Sequence, residues 1–412
     1  MSHGARTAHD IVAAQRRILT VLVGSQILSG AGLAAGITVG ALLAQDMLGS
    51  TGLAGLPTAL FTAGSALAAI AVGRLSHARG RRIGLAAGYL TGAIGSAAVI
   101  AAAVAGNPVA LFAALFVYGA GNATNLQARY AGADLADPAH RGRAVSTVLV
   151  ATTVGGVLGP NLAAPTGSVA EQLSIPYLAG PFLLAGLVYA AAAAVLALWL
   201  HPDPLLTARA LAAEPAPVAA PIPATGAVTG RGGVALGTLV MIVTQSVMVA
   251  IMTMTPVHMH DHGHGTAAAG FVIAVHVGAM YLPSPLSGLA VDRLGRLAVA
   301  AASALTLLAA GVLAAIAPPD SIALLAVALG LLGLGWNFGL VAGTAIIADT
   351  VPLATRAKTQ GLVDVCIAVA GASGGLASGA VAATAGYPAL TLTGGVLALL
   401  ILPAVLASTR PH

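Results

Sequence analysis

Twelve apolar stretches of about twenty residues, each closed by turn or charge signals, dominate this chain and leave it one class of fold. Only 7% of its 412 residues are Asp, Glu, Lys or Arg, against about 25% in soluble domains, which excludes a water-soluble globule. A spanning β-barrel would show short alternating segments instead. The sequence therefore predicts an all-α polytopic membrane protein with twelve transmembrane helices in two six-helix halves. The first six spans are expected near 18–45, 53–72, 83–105, 108–129, 144–165 and 176–200, and the second six near 234–256, 266–289, 297–317, 321–347, 359–383 and 388–407. Residues 201–233, rich in Pro, Ala and Gly, read as a flexible linker between an N-terminal half, 1–200, and a C-terminal half, 234–412.

Of the 17 basic residues, 16 are Arg, and all fall before the first span, in the even-numbered loops, in the linker or in the tail. By the positive-inside rule both termini are expected in the cytoplasm, with the chain in the cytoplasmic membrane of a bacterium. No basic patch interleaved with aromatics marks a nucleic-acid partner; the partner of the surface is the lipid bilayer. The first span, from Ile18, is longer than a signal-peptide core and reads as retained. The single cysteine, Cys366, allows no internal disulfide. With no phosphate-binding loop and no paired acids, no enzyme is expected and no cofactor is required.

The halves repeat one another. A shift of 215 residues places Gly73, Gly80 and Arg81 on Gly288, Gly295 and Arg296, and Asn122, Asp134 and Arg141 on Asn337, Asp349 and Arg356. An even number of spans per repeat gives both halves one orientation and puts a substrate site between them. The run Gly73-Arg74-Leu75-Ser76-His77-Ala78-Arg79-Gly80-Arg81-Arg82, with Gly288 to Arg296 as its second copy, resembles the loop motif of the major facilitator superfamily. The usual acid is present as Asp292 in the second copy and replaced by His77 in the first. Gly155 to Pro160 looks like the fifth-helix motif of superfamily antiporters and reads as close helix packing. Arg129, Asp134 and Arg141, with Asp349 and Arg356, recur at the inner helix ends and read as a gate of ion pairs.

Methionine and histidine cluster between positions 241 and 280. Met248 and Met252 stand one turn apart on the seventh span, and His276 and Met280 repeat that spacing on the eighth. Composition alone would give about 0.15 Met-x3-Met and about 0.2 His-x3-Met pairs in the whole chain. Soft thioethers with imidazole suit Cu(I), and neutral ligands avoid the cost of burying a charge. Methionine also fills gaps in helix packing, so each residue alone has an ordinary explanation. The paired motifs resemble the signature of the CcoA-like copper importers, whose relatives without them look like flavin transporters. That resemblance implies uptake of copper, as Cu(I), by a monomeric carrier with Met248, Met252, His276 and Met280 as ligands and a cytoplasmic copper chaperone as receiver. His258, Met259, His260, His262 and His264, expected in the outer loop, are candidates for metal entry, and Met241 and Cys366 for relay or release. The competing expectation is a carrier of a drug or a flavin, proton-coupled or not, in which the methionines form an apolar wall. A membrane metal sensor is disfavoured because no soluble signalling domain is present.

Overall fold

A bilayer offers no water to backbone groups, so a chain this apolar satisfies them within each segment, as helices do. The computed structural model describes residues 3–48, 56–213, 231–264 and 266–408. Among them there are fifteen α-helices and no strand: α1 His3–Leu48, α2 Leu56–Arg79, α3 Arg81–Val104, α4 Pro108–Asp134, α5 Arg141–Asn161, α6 Ala163–Gln172, α7 Gly180–Trp199, α8 Pro204–Ala213, α9 Arg231–Asp261, α10 Thr266–Tyr281, α11 Ser284–Leu294, α12 Arg296–Ile316, α13 Ile322–Thr350, α14 Arg356–Ala398 and α15 Ile401–Ser408. The chain is a polytopic helical membrane protein.

Ten helical stretches of the described residues are long and apolar enough to cross a membrane. One of them, Arg356–Ser408, covers two expected spans. It is broken at Gly386, whose φ of 84° only glycine adopts without strain. The span expected near 144–165 is α5 with α6, and the one near 266–289 is α10 with α11, parted at Leu282 and Pro283. Every expected span thus has a helical counterpart.

The chain forms two compact units. The first comprises Met1–Ala136, Thr147–Pro217 and Pro352–Ala368, and the second Asp137–Ser146, Val218–Val351 and Val369–His412. In lipid, helices gain little by hiding apolar surface from one another, so close backbone approach has to supply the attraction. The first unit does this with glycine. A Cβ on Gly64 of α2 would lie 1.8 Å from the Phe116 carbonyl oxygen of α4, and one on Gly119 of α4 would lie 2.3 Å from that of Phe61. Gly155, in the glycine motif of α5, meets the Ile27 carbonyl at 2.2 Å, which accords with its packing role. The side chains of residues 156–160 in that motif lie outside the described residues. Tyr189 stacks on Tyr89 at 5.7 Å, and Tyr118 meets Phe182 edge-on at 5.2 Å to fill the core.

In the second unit α13 is the central post. On it Gly333 faces the His276 carbonyl of α10, and Gly343 faces Met241 of α9, each at 2.4 Å from a virtual Cβ.

The start of the stretch read as a flexible linker is a docked helix, α8. The reason is local. Asp203 caps α8 by accepting the Leu205 and Leu206 N–H groups at 3.0 and 3.1 Å, while its other oxygen accepts the Arg82 N–H at 2.8 Å. Arg209 then donates to the carbonyls of His77, Leu353 and Ala354 at 2.9, 3.0 and 3.1 Å. Residues 214–230 lie outside the described residues.

Gly119→Val, which drives a side chain into the Phe61 carbonyl, is expected to cost about 1–3 kcal/mol and to lower the thermal unfolding midpoint in detergent. Gly270→Ala, where a Cβ meets nothing within 4 Å, is expected to leave that midpoint unchanged.

Candidate functional site

The loop motifs and the helix ends beside them build two matching arrangements. In the first unit the Asp134 carboxylate lies between Arg81 at 2.7 Å and Arg356 at 3.6 Å. In the second, Asp349 lies between Arg296, at 2.7 Å, and Arg141. The shift of 215 residues places Arg81 on Arg296 and Asp134 on Asp349, and the third arginines, Arg356 and Arg141, are related by the same shift but exchanged between the triads. Of the five residues expected to form a gate, Asp134 meets Arg356, and Asp349 meets Arg141. Arg129 joins neither and instead pairs with Asp364 at 2.7 Å, with the Tyr130 hydroxyl 3.2 Å from the same oxygen. Its guanidinium stacks over the Tyr130 ring at 4.2 Å. Arg81, Arg296 and Asp364 escaped the sequence reading as ion-pair partners, although the repeat shift that aligned Arg81 with Arg296 carried the signal for the first two.

The triads differ in setting. The side chains of Arg81, Asp134 and Arg356 are 0%, 1% and 5% exposed. Those of Arg141, Arg296 and Asp349 are 15–25% exposed. The loop acids differ too. Asp292 accepts the N–H groups of Gly142 and Arg143, at 2.8 and 3.0 Å, at the start of α5, where a carboxylate suits the helix dipole. At the matching position in the first unit the His77 Nδ1 stands 3.1 Å from an Arg209 nitrogen, so a linker arginine occupies the place of the missing acid contact.

The proposed ligands lie on two helices that pack against adjacent faces of α13. On α9, Met241 lies beside Gly343 and Thr244 beside Gly339, and Gln245 accepts the Trp336 indole N–H at 2.7 Å. Met248 and Met252 follow one and two turns beyond Thr244 on α9. On α10, His276 bonds to the Leu329 carbonyl at 2.9 Å, and the Met280 carbonyl accepts the Asn337 amide at 2.7 Å. His276 is fully buried, Met248 and Met280 are 4% and 8% exposed, and Met252 is half-buried. With its Nδ1–H directed at a carbonyl, His276 leaves Nε2 buried without a hydrogen-bond partner.

Of the outer histidines only His258 and His262 are brought together, with ring centroids 4.4 Å apart. Val257 to Asp261 continue helix α9 past Pro256 rather than forming a loop. His258 stacks on Tyr387 at 4.2 Å, the His262 Nδ1 meets the His258 carbonyl at 2.7 Å, and His264 meets the Pro319 carbonyl at 2.7 Å. His260 is exposed and Met259 is buried. Gly265 lies outside the described residues. Among the described residues no three of His, Cys, Asp and Glu gather closely enough to hold a metal ion. Cys366 shares an exposed stripe of α14 with Leu362, Val369 and Leu376, turned away from buried Asp364. Met241 is buried against Gly343.

A duplicated set of spans with paired loop motifs is the architecture of a membrane transporter. The chain belongs to the Major Facilitator Superfamily, which it matches over residues 22–283 and 234–412. It is 55% identical to the uncharacterized MFS-type transporter YdeG of Bacillus subtilis (strain 168), over 95% of this chain and 92% of that one. It is 29% identical to the riboflavin transporter RfnT of Brucella anthropi, over 96% and 97% of the two chains. The structure of the human organic anion transporter MFSD10 shares the fold, with a TM-score of 0.75, 18% identity, and coverage of 95% of this chain and 99% of that one. These matches establish a transporter of the superfamily and do not extend to the copper-importer branch that the paired motifs resemble.

The burial difference has a measurable outcome. Asp134→Asn leaves two buried arginines without their carboxylate and is expected to cost about 3–5 kcal/mol in detergent-solubilised protein. Asp349→Asn, its counterpart in the second unit, is expected to cost about 1 kcal/mol or less, because water screens that triad.

Proposed function

We propose that the protein is a secondary carrier of an uncharged, aromatic organic solute of the flavin class. The observation that carries this reading is the relationship, along nearly the whole of both chains, to a protein named as a riboflavin transporter. The chemistry of the interior supports it. Trp336, with Tyr281 edge-on at 5.7 Å and the Gln245 amide at 2.7 Å, offers ring surface and neutral hydrogen-bonding groups of the kind that hold a heteroaromatic ring. In this reading the triads, with Arg81 and Arg296 completing the set of Arg129, Asp134, Arg141, Asp349 and Arg356, are ion pairs that part and reform during the transport cycle. In this reading both termini lie in the cytoplasm of a bacterium, the orientation that the arginine distribution favours by the positive-inside rule.

A second reading, import of Cu(I), is favoured by one observation. The His276 imidazole is oriented by a backbone carbonyl with its other nitrogen bare, as histidines that ligate metals usually are. In that reading Met248, Met252 and Met280 would supply thioethers.

Uptake into proteoliposomes separates the two. The flavin-class reading expects riboflavin to enter vesicles holding the native chain, with entry reduced at least tenfold by Gln245→Ala and little changed by Met248→Leu. Copper entry into chelator-loaded vesicles that is abolished by Met248→Ala and by His276→Ala, with no riboflavin entry, would overturn it.

A further inference from the structure

Between α3 and α7 runs a groove of about 440 Å³ that none of the functions above uses. Its walls are apolar and mostly alanine: Ala86 and Ala87 from α3, flanked by Ile83 and Leu90, and Ala190, Ala193, Ala194 and Ala197 from α7. Both helices belong to membrane-spanning stretches, so an apolar groove along them is filled by hydrocarbon. One end of the groove is different. Arg82 lines it there, half-buried, at the end of the helices that carries Arg74, Arg79 and Arg81.

The charge on Arg82 has no acidic counterpart. Among the described residues no carboxylate forms an ion pair with its guanidinium, whose contact is with the His201 ring. Asp203, which is bonded to the Arg82 backbone, directs one oxygen at the Arg82 N–H and the other at the Leu205 and Leu206 N–H groups. Its charge is spent on amides at two helix starts and not on the arginine side chain. A cation at the mouth of an alkyl-sized groove, at the depth where headgroups lie, is complementary to an anionic lipid.

We propose that the groove between α3 and α7 is a binding site for an anionic phospholipid, with an acyl chain against the alanines and the phosphate on Arg82 beside His201. Zwitterionic lipids meet the same alanine wall but add a cationic group near Arg82, so headgroup charge decides occupancy. The geometry also explains the small residues: a larger side chain at exposed Ala190, Ala194 or Ala197 would occupy the space of the chain.

Native mass spectrometry of the full-length protein, titrated with phosphatidylglycerol or with phosphatidylcholine, tests this. The first phosphatidylglycerol is expected to bind about fivefold more tightly than the first phosphatidylcholine, the worth of about one arginine near a headgroup. Arg82→Gln is expected to bring the ratio to about one, and Arg82→Lys to keep it. Ala194→Leu should weaken both lipids alike, and Arg79→Gln, an exposed arginine outside the groove, should change nothing. Equal affinity for the two lipids in the native chain, or a preference that survives Arg82→Gln, would overturn the proposal.

Discussion

A carboxylate held between two arginines, built twice from repeat-related residues, is the interaction on which the charged end of this structure depends. Arginine cannot lose its charge, and removing it from water is costly, so each buried guanidinium must find an acid. Asp134 meets that need for Arg81 and Arg356, and Asp364 meets it for Arg129. Placing Arg356 and Asp364 in the first unit fixes the start of α14 there, and Gly73 and Gly361 permit the backbone contact that accompanies it. The equivalent contact in the second unit, Gly288 against Gly142, is closed by Asp292 on the amides of α5. The same geometry is thus held by carboxylate-to-amide bonds in one unit and by Arg209 from the linker helix in the other.

Most of this architecture is legible in the sequence, because bilayer thickness and backbone satisfaction leave little choice to a 20-residue apolar segment. The 215-residue repeat also exposes the positions of both triads, and the loop glycines lie where the structure needs close approach. What the sequence does not reveal is pairing over distance. That Arg129 would select Asp364, more than two hundred residues away, depends on where the folded chain places the start of α14 and on no local pattern. The docking of α8 is hidden for a similar reason: Pro and Ala composition reads as a linker, while Asp203 and Arg209 find their partners only in the folded chain.

The methionine and histidine cluster shows how a spacing argument meets three-dimensional placement. Two motifs rare by chance lie on helices that both pack against α13, and His276 on one of them presents a bare nitrogen. The histidines beyond them converge only as one pair, His258 with His262 at 4.4 Å, and their polar atoms and rings are also engaged by Tyr387, by a carbonyl of their own helix turn and, for His264, by the Pro319 carbonyl. Spacing reports the face and depth of a residue, but convergence depends on which neighbours satisfy its polar atoms first. Thioethers in a helix interface also pack well in their own right, as Met241 does against Gly343.

The central claim, an aromatic organic solute held near Trp336, is tested most directly by equilibrium binding. Trp199→Phe leaves Trp336 as the sole tryptophan of the chain, so its fluorescence reports on that location. The account expects saturable quenching by riboflavin that persists in His276→Ala and is not reproduced by Cu(I). Quenching by one equivalent of Cu(I), lost in His276→Ala and with no response to riboflavin, would contradict it.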